Sequence, residues 1–220
     1  FKKGASWVIS SKSNYNNDRI IQVDNTNIAL QNIAAFLIKT LNPKIIAITG
    51  SNGKTTTKEL TGKILKNYYT NKHVLVTYGN FNNDIGMPLT ILGLTKQHKY
   101  ILLEMGMNHA GEIEKLCKIA SPDIAVITNI GEAHIENFKS RKHLAEAKKE
   151  ILKGAKNKFI AILPGVDDYY NFLKSSINTK KIITFGLGEK CNIRFLKNEN
   201  TYLLGEKKVT IKNQLIGEHN

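Results

Sequence analysis

The run Gly50-Ser51-Asn52-Gly53-Lys54-Thr55-Thr56 has residue types that together handle phosphate. Glycines let backbone N–H groups turn inward, a lysine neutralises phosphate oxygens, and a threonine hydroxyl can ligate Mg²⁺. What flanks the run fits that chemistry. Ile45-Ile46-Ala47-Ile48-Thr49 reads as a strand buried on both faces, and Glu59, Leu60, Ile64 and Leu65 follow at helical spacing. A helix N-terminus there would add its partial positive charge. The strict phosphate-loop pattern would put its first glycine at Ile48, whereas the glycine stands at Gly50. The competing interpretation is an Asn-Gly turn before an ordinary helix start.

Three further polar clusters follow apolar runs. Gly79-Asn80-Phe81-Asn82-Asn83 runs on to Gly86-Met87-Pro88. Its asparagines Asn80, Asn82 and Asn83 either form turns or meet a substrate rich in hydroxyl and amide groups. Glu104 ends the apolar run Tyr100-Ile101-Leu102-Leu103, just before Asn108 and His109. A carboxylate there is either at a solvated strand end or buried and in need of a cation, which makes it a Mg²⁺ ligand candidate. His134, in Asn129-Ile130-Gly131-Glu132-Ala133-His134, could ligate a metal or contact phosphate. Lys148 and Lys149 are indistinguishable by spacing alone.

To bring these clusters together, the chain must place them at one sheet edge. From Lys44 onward strands and helices alternate, which predicts an α/β fold with a mostly parallel, doubly wound sheet. Strands are expected at 73–77, 100–104, 123–128, 158–163 and 181–185, with a helix near 141–152 and a short helix starting at Pro88. Ligands in such sheets bind beyond the carboxyl ends of the strands. Short β segments near 192–196, 201–204 and 208–211 predict a small antiparallel extension. Residues 1–42 offer two short strands and a helix capped by Asp24, Asn25 or Thr26. This is too little for an independent core, so they read as the tail of a preceding domain plus connector, with a nucleotide-binding domain over 43–220.

The chain has 220 residues, 41% of them hydrophobic and 23% charged, an ordinary globular balance. No apolar run is long enough to span a bilayer, so no membrane insertion is expected. The +14 charge raises the question of nucleic acid. The lysines are scattered and not interleaved with aromatics, so no nucleic-acid partner is expected. Two cysteines outside any metal-type spacing favour reduced thiols and a cytoplasmic location.

Taken together, these motifs resemble the Mur ligases, ATP-dependent amide-bond ligases of peptidoglycan synthesis. The phosphate loop is similar to the family's TG[TS]NGKT[TS] loop. The Gly79–Pro88, Glu104–Ile113, Asn129–His134 and Ala147–Ile151 segments look most like the MurF branch. The resemblance implies ATP and two Mg²⁺ ions as cofactors, UDP-N-acetylmuramoyl-tripeptide and D-Ala-D-Ala as partners, and an acyl-phosphate intermediate. A monomer is expected. By resemblance Lys54 would stabilise the γ-phosphoryl group, while Thr55, Glu104 and His134 would hold metal. Lys148 would match a position that becomes N-carboxylated. Asn80, Asn82, Asn83, Asn108 and His109 would face substrate, and Asn220 would help hold adenine. The sister ligases (MurE-type or cyanophycin-synthetase-like) and a nucleotide-binding fragment without turnover are the alternatives. The 220-residue piece alone is expected not to complete the reaction.

Overall fold

A computed structural model of the chain describes residues 1–12, 16–133, 135–175, 177, 179–196 and 201–210. Its centre is the strand β3 (Lys44–Thr49), which pairs in parallel with β5 (Tyr100–Glu104) on one side and β6 (Ile124–Ile127) on the other. β4 (Val74–Val76) forms one edge beside β5, and β7 (Ile160–Pro164) and β8 (Ile182–Gly186) continue outward from β6. The chain thus leaves β3 for the edge at β4, returns to β5, and passes over to β6. That change of direction around β3 opens a crevice at the carboxyl ends of the strands.

The far end of the sheet carries the expected antiparallel extension, which joins the parallel sheet along β8. β9 (Ile193–Leu196) pairs in parallel with β8 on one side and antiparallel with β10 (Thr201–Leu204) on the other, and β10 pairs antiparallel with β11 (Lys207–Thr210). The hinge is Asn192, whose Oδ1 accepts from both the Thr184 amide and the Thr184 hydroxyl. This side-chain clamp sets β9 beside β8, a contact across eight residues that hydrophobic periodicity does not encode. In the N-terminal segment β1 (Val8–Ser10) and β2 (Ile20–Gln22) form a separate parallel pair.

The two faces of the sheet are covered unequally. α2 (Lys54–Tyr69) packs Leu65 toward Ile46, Ile48, Leu102 and Val126. The opposite face holds the larger core. There α1 (Thr26–Leu41), α3 (Gly86–Ile91), α4 (Glu112–Ile119), α5 (Arg141–Lys153) and the short α6 (Tyr170–Lys174) contribute Ala34, Met87, Ile113, Leu144 and Leu173. α1, expected as part of a connector, therefore buries a residue in this core and packs on α3 and α4. Asn25 caps it, accepting from the Asn27 and Ile28 amides, and left-handed Asn42 ends it before Pro43. α3 begins at Gly86 rather than Pro88, because Asn83 Oδ1 accepts from the Gly86 amide at 2.8 Å.

Candidate active site

The loop between β3 and α2 is fixed by backbone geometry. Gly50 has φ +150°, and a Cβ there would lie 1.8 Å from Thr128 Oγ1. Gly53, at φ +78°, precedes the first turn of α2, a left-handed position that glycine occupies without steric cost. The loop is also tied to the exit of β6. Ser51 N donates to Asn129 O, Asn52 N to Asn129 Oδ1, and Thr128 Oγ1 to Asn52 O at 2.6 Å. Gly131 N donates back to Ser51 Oγ. Thr55 and Thr56 stand in the first turn of α2, where N–H groups lack intrahelical partners. Lys54 Nζ folds over the loop, donating to Gly50 O at 2.8 Å and Ser51 O at 3.1 Å. Burial lowers its pKa, opposed by the nearby charge of Glu104.

Glu104, at the end of β5, is only 1% exposed, so the solvated alternative does not hold. Its Oε1 accepts from Asn82 Nδ2 at 2.8 Å, while Oε2 is buried without a hydrogen-bond partner. Thr49 Oγ1, on the adjacent strand, is likewise buried and unpartnered. An orphaned carboxylate oxygen at a strand end is what a hard cation would satisfy, whereas Thr49 alternates to the opposite face of the sheet from Glu104. Among the described residues, no group of three His, Cys, Asp or Glu gathers to hold a metal. A Mg²⁺ bound beside phosphates keeps several waters and needs few protein ligands, so Thr55 and Glu104 fit it.

Lys148 on α5 is 1% exposed, and its pKa falls to about 7 through burial and the neighbouring charge of Lys54. Structure thereby separates it from Lys149, whose ammonium lies 3.8 Å over the Phe172 ring. Two residues on, Glu150 accepts from the Gly111 and Glu114 amides, bracing α5 against the start of α4.

The five residues expected to face substrate divide into different roles. Asn82 is committed to Glu104, and Asn83 accepts from the Ile85 and Gly86 amides. Asn80, Asn108 and His109 are exposed, with His109 paired to Glu112 at 3.2 Å. His134 and Asn220 lie outside the described residues. Sequence reasoning passed over Thr128, Asn129, Glu150 and Lys58. Lys54 and Lys58, four apart and so on one helix face, were a signal that could have found Lys58. A groove of about 910 Å³ between α4 and α5, lined by Glu114, Cys117, His143 and Lys153, includes none of the phosphate-loop residues.

The family described as "Mur ligase middle domain" matches residues 48–220. The UDP-N-acetylmuramoyl-tripeptide--D-alanyl-D-alanine ligase of Buchnera aphidicola subsp. Baizongia pistaciae is 40% identical, across 99% of this chain and 49% of the relative. A crystal structure of MurF from Acinetobacter baumannii superposes with TM-score 0.85 at 32% identity, over 99% of this chain and 48% of the other. MurF ligase from Thermotoga maritima, in complex with ADP, gives TM-score 0.79 at 35% identity, over 91% and 46%. The chain spans about half the length of the curated relatives it matches. With its phosphate loop and sheet topology, the chain belongs to the Mur ligase family.

Proposed function

We propose that the protein carrying this chain is an ATP-dependent ligase that joins D-Ala-D-Ala to UDP-N-acetylmuramoyl-tripeptide. The observation that supports this best is the meeting of Lys54, the free Oε2 of Glu104 and buried Lys148 at one sheet edge, in a chain whose relatives bear that name. A carboxylate oxygen of the tripeptide attacks the γ-phosphorus of ATP, and the bond to ADP breaks. The amine of D-Ala-D-Ala then attacks the acyl carbon, phosphate leaves, and the amine loses its proton. The phosphate loop orients the nucleotide through its backbone N–H groups. Lys54 exchanges its bonds to Gly50 O and Ser51 O for the transferring phosphoryl oxygens.

Thr55, Glu104, His134 and Lys148 in N-carboxylated form would hold two Mg²⁺ ions, whose charge neutralises the phosphates. A neutral amine is what adds to CO₂, forming the N–C bond and releasing one proton. A Lys148 pKa near 7 leaves a substantial neutral fraction at neutral pH. Asn80, Asn108 and His109 are exposed; we assign them to contacts with the UDP-linked substrate, and Asn220 to the adenine site. We assign residues 1–42 to the end of a UDP-substrate domain and 43–220 to the ATP-binding domain. A monomer in the cytoplasm suits the nucleotide-linked substrate and the free thiols Cys117 and Cys191.

The test is ADP and phosphate release by the full-length polypeptide with Mg-ATP, UDP-N-acetylmuramoyl-tripeptide and bicarbonate. Release that needs D-Ala-D-Ala supports the assignment. Release driven by a single amino acid moves the protein to a sister ligase, and no release with any precursor refutes it.

A further inference from the structure

Lys58 lies one helical turn beyond Lys54 and is 0% exposed, an unusual state for a lysine. A buried ammonium is costly unless it is paired and hydrogen-bonded, so its partners indicate what it is kept for. Lys58 Nζ donates to Gly79 O at 2.8 Å, pairs with Glu59 Oε1 at 2.9 Å, and sits 3.8 Å from Glu104 Oε2. The last distance exceeds a hydrogen bond, and Glu104 Oε2 has no such partner. Lys58 therefore offsets the Glu104 charge without occupying that oxygen's lone pairs.

Its direct bond goes instead to the backbone of the loop after β4. The other end of that loop is fixed by the same carboxylate: Asn82 Nδ2 donates to Glu104 Oε1, and Gly106 N donates to Asn82 O. Glu104 N in turn donates to Thr77 Oγ1, just before the loop. The Gly79–Asn83 segment thus hangs between Lys58 and Glu104. A shift of the carboxylate has no path that leaves the segment unmoved.

We propose that Lys58 is a positioning residue that couples the Glu104 carboxylate to the Gly79–Asn83 loop, so that cation binding at Glu104 and ordering of this loop occur together. The inference rests on the assignment of Glu104 as a metal ligand made above. It adds a linkage: nucleotide bound without metal leaves the loop as it was, and nucleotide with metal tightens it.

Full-length protein tests this without turnover. In the unaltered protein, hydrogen exchange across 79–83 slows with Mg-ADP and is unchanged by ADP in EDTA. Equal exchange in the two conditions overturns the coupling. In Lys58→Met, Mn²⁺ binding in the presence of ADP, read by electron paramagnetic resonance, weakens about tenfold or more, as losses of residues that support metal ligands do. ADP affinity in EDTA stays within about twofold of the unaltered protein, because the phosphate-loop backbone is intact. Lys58→Gln, a milder change, weakens Mn²⁺ binding less than Lys58→Met does. A lowered melting temperature with unchanged Mn²⁺ binding in both variants would reduce Lys58 to a packing role. Glu104→Gln separates the two claims. If it leaves Mn²⁺ binding intact, the ligand assignment fails; if it abolishes binding and Lys58→Met does not alter it, only the coupling fails.

Discussion

The loop after β3 and the loop after β4 both leave the carboxyl edge of one sheet, yet they are built by opposite means. The first is a backbone device: Gly50 and Gly53 set its course, and what the loop itself offers to Thr128 and Asn129 is main-chain N–H and C=O, with Ser51 Oγ toward Gly131 the exception. The second is a side-chain device, in which Asn82 reaches Glu104, Asn83 caps α3, and Lys58 holds Gly79 from below. Backbone cradles carry their chemistry in glycine spacing. Side-chain lattices carry it in which of several similar residues points inward, and spacing does not say that.

Changes in the two loops should therefore fail differently. Lys54→Ala leaves the cradle standing but removes its cation, so ADP release should fall by about a thousandfold or more. Melting within a few degrees of the unaltered protein would confirm that the loss is chemical. Asn82→Ala should lower kcat by about 10–100-fold, since it frees the carboxylate that the second loop orients. Gly106→Ala should reproduce it, because a Cβ there would meet Asn82 Cγ at 2.8 Å. Asn80→Ala separates turn from contact: a raised KM for the UDP substrate supports its assigned role, and an unchanged one removes it. Asn83→Ala should cost stability of about 1 kcal/mol in chemical denaturation, as a lost cap does, with kcat nearly intact. Equal effects at Asn82 and Asn83 would break the comparison.

A separate prediction concerns Lys148, which belongs to neither loop. Its folded pKa of about 7 lies below the ordinary lysine value of 10.5. The unfolded chain therefore holds the extra proton between those values, and stability from this group rises with pH across that window. Below pH 7 both states are charged and the burial penalty is full. In metal-free, nucleotide-free protein, Lys148→Met should melt higher than the parent near pH 6–7, and the gap should close toward pH 10. A gap independent of pH would show that Lys148 is not held neutral.

Most of the sheet was legible, because β3, β5 and β6 are buried on both faces and their apolar runs are continuous. The turn between β3 and α2 was legible despite its displaced glycine, since strand, glycine turn and helix follow one another directly in the sequence. Less could be seen where one side-chain contact decides. The parallel seat of β9 turns on Asn192, and Lys148 differs from Lys149 by what each buried ammonium meets, the charge of Lys54 or the Phe172 ring. Glu150 looks like a solvated helix residue until α4 is placed against it. Three asparagines in one loop gave a chemical theme, and only the fold assigns them separate tasks.

The position of β3 bears on how the chain is made. Its partners, Tyr100–Glu104 and Ile124–Ile127, are synthesised well after it, and the early neighbour in sequence, β4, pairs with β5 instead. On the ribosome, Ile45, Ile46 and Ile48 therefore emerge with no strand to join. Until β5 follows, this apolar ribbon is a template for mispairing with other nascent chains. The strand that carries the nucleotide loop is thus left unpaired until its partners have been made.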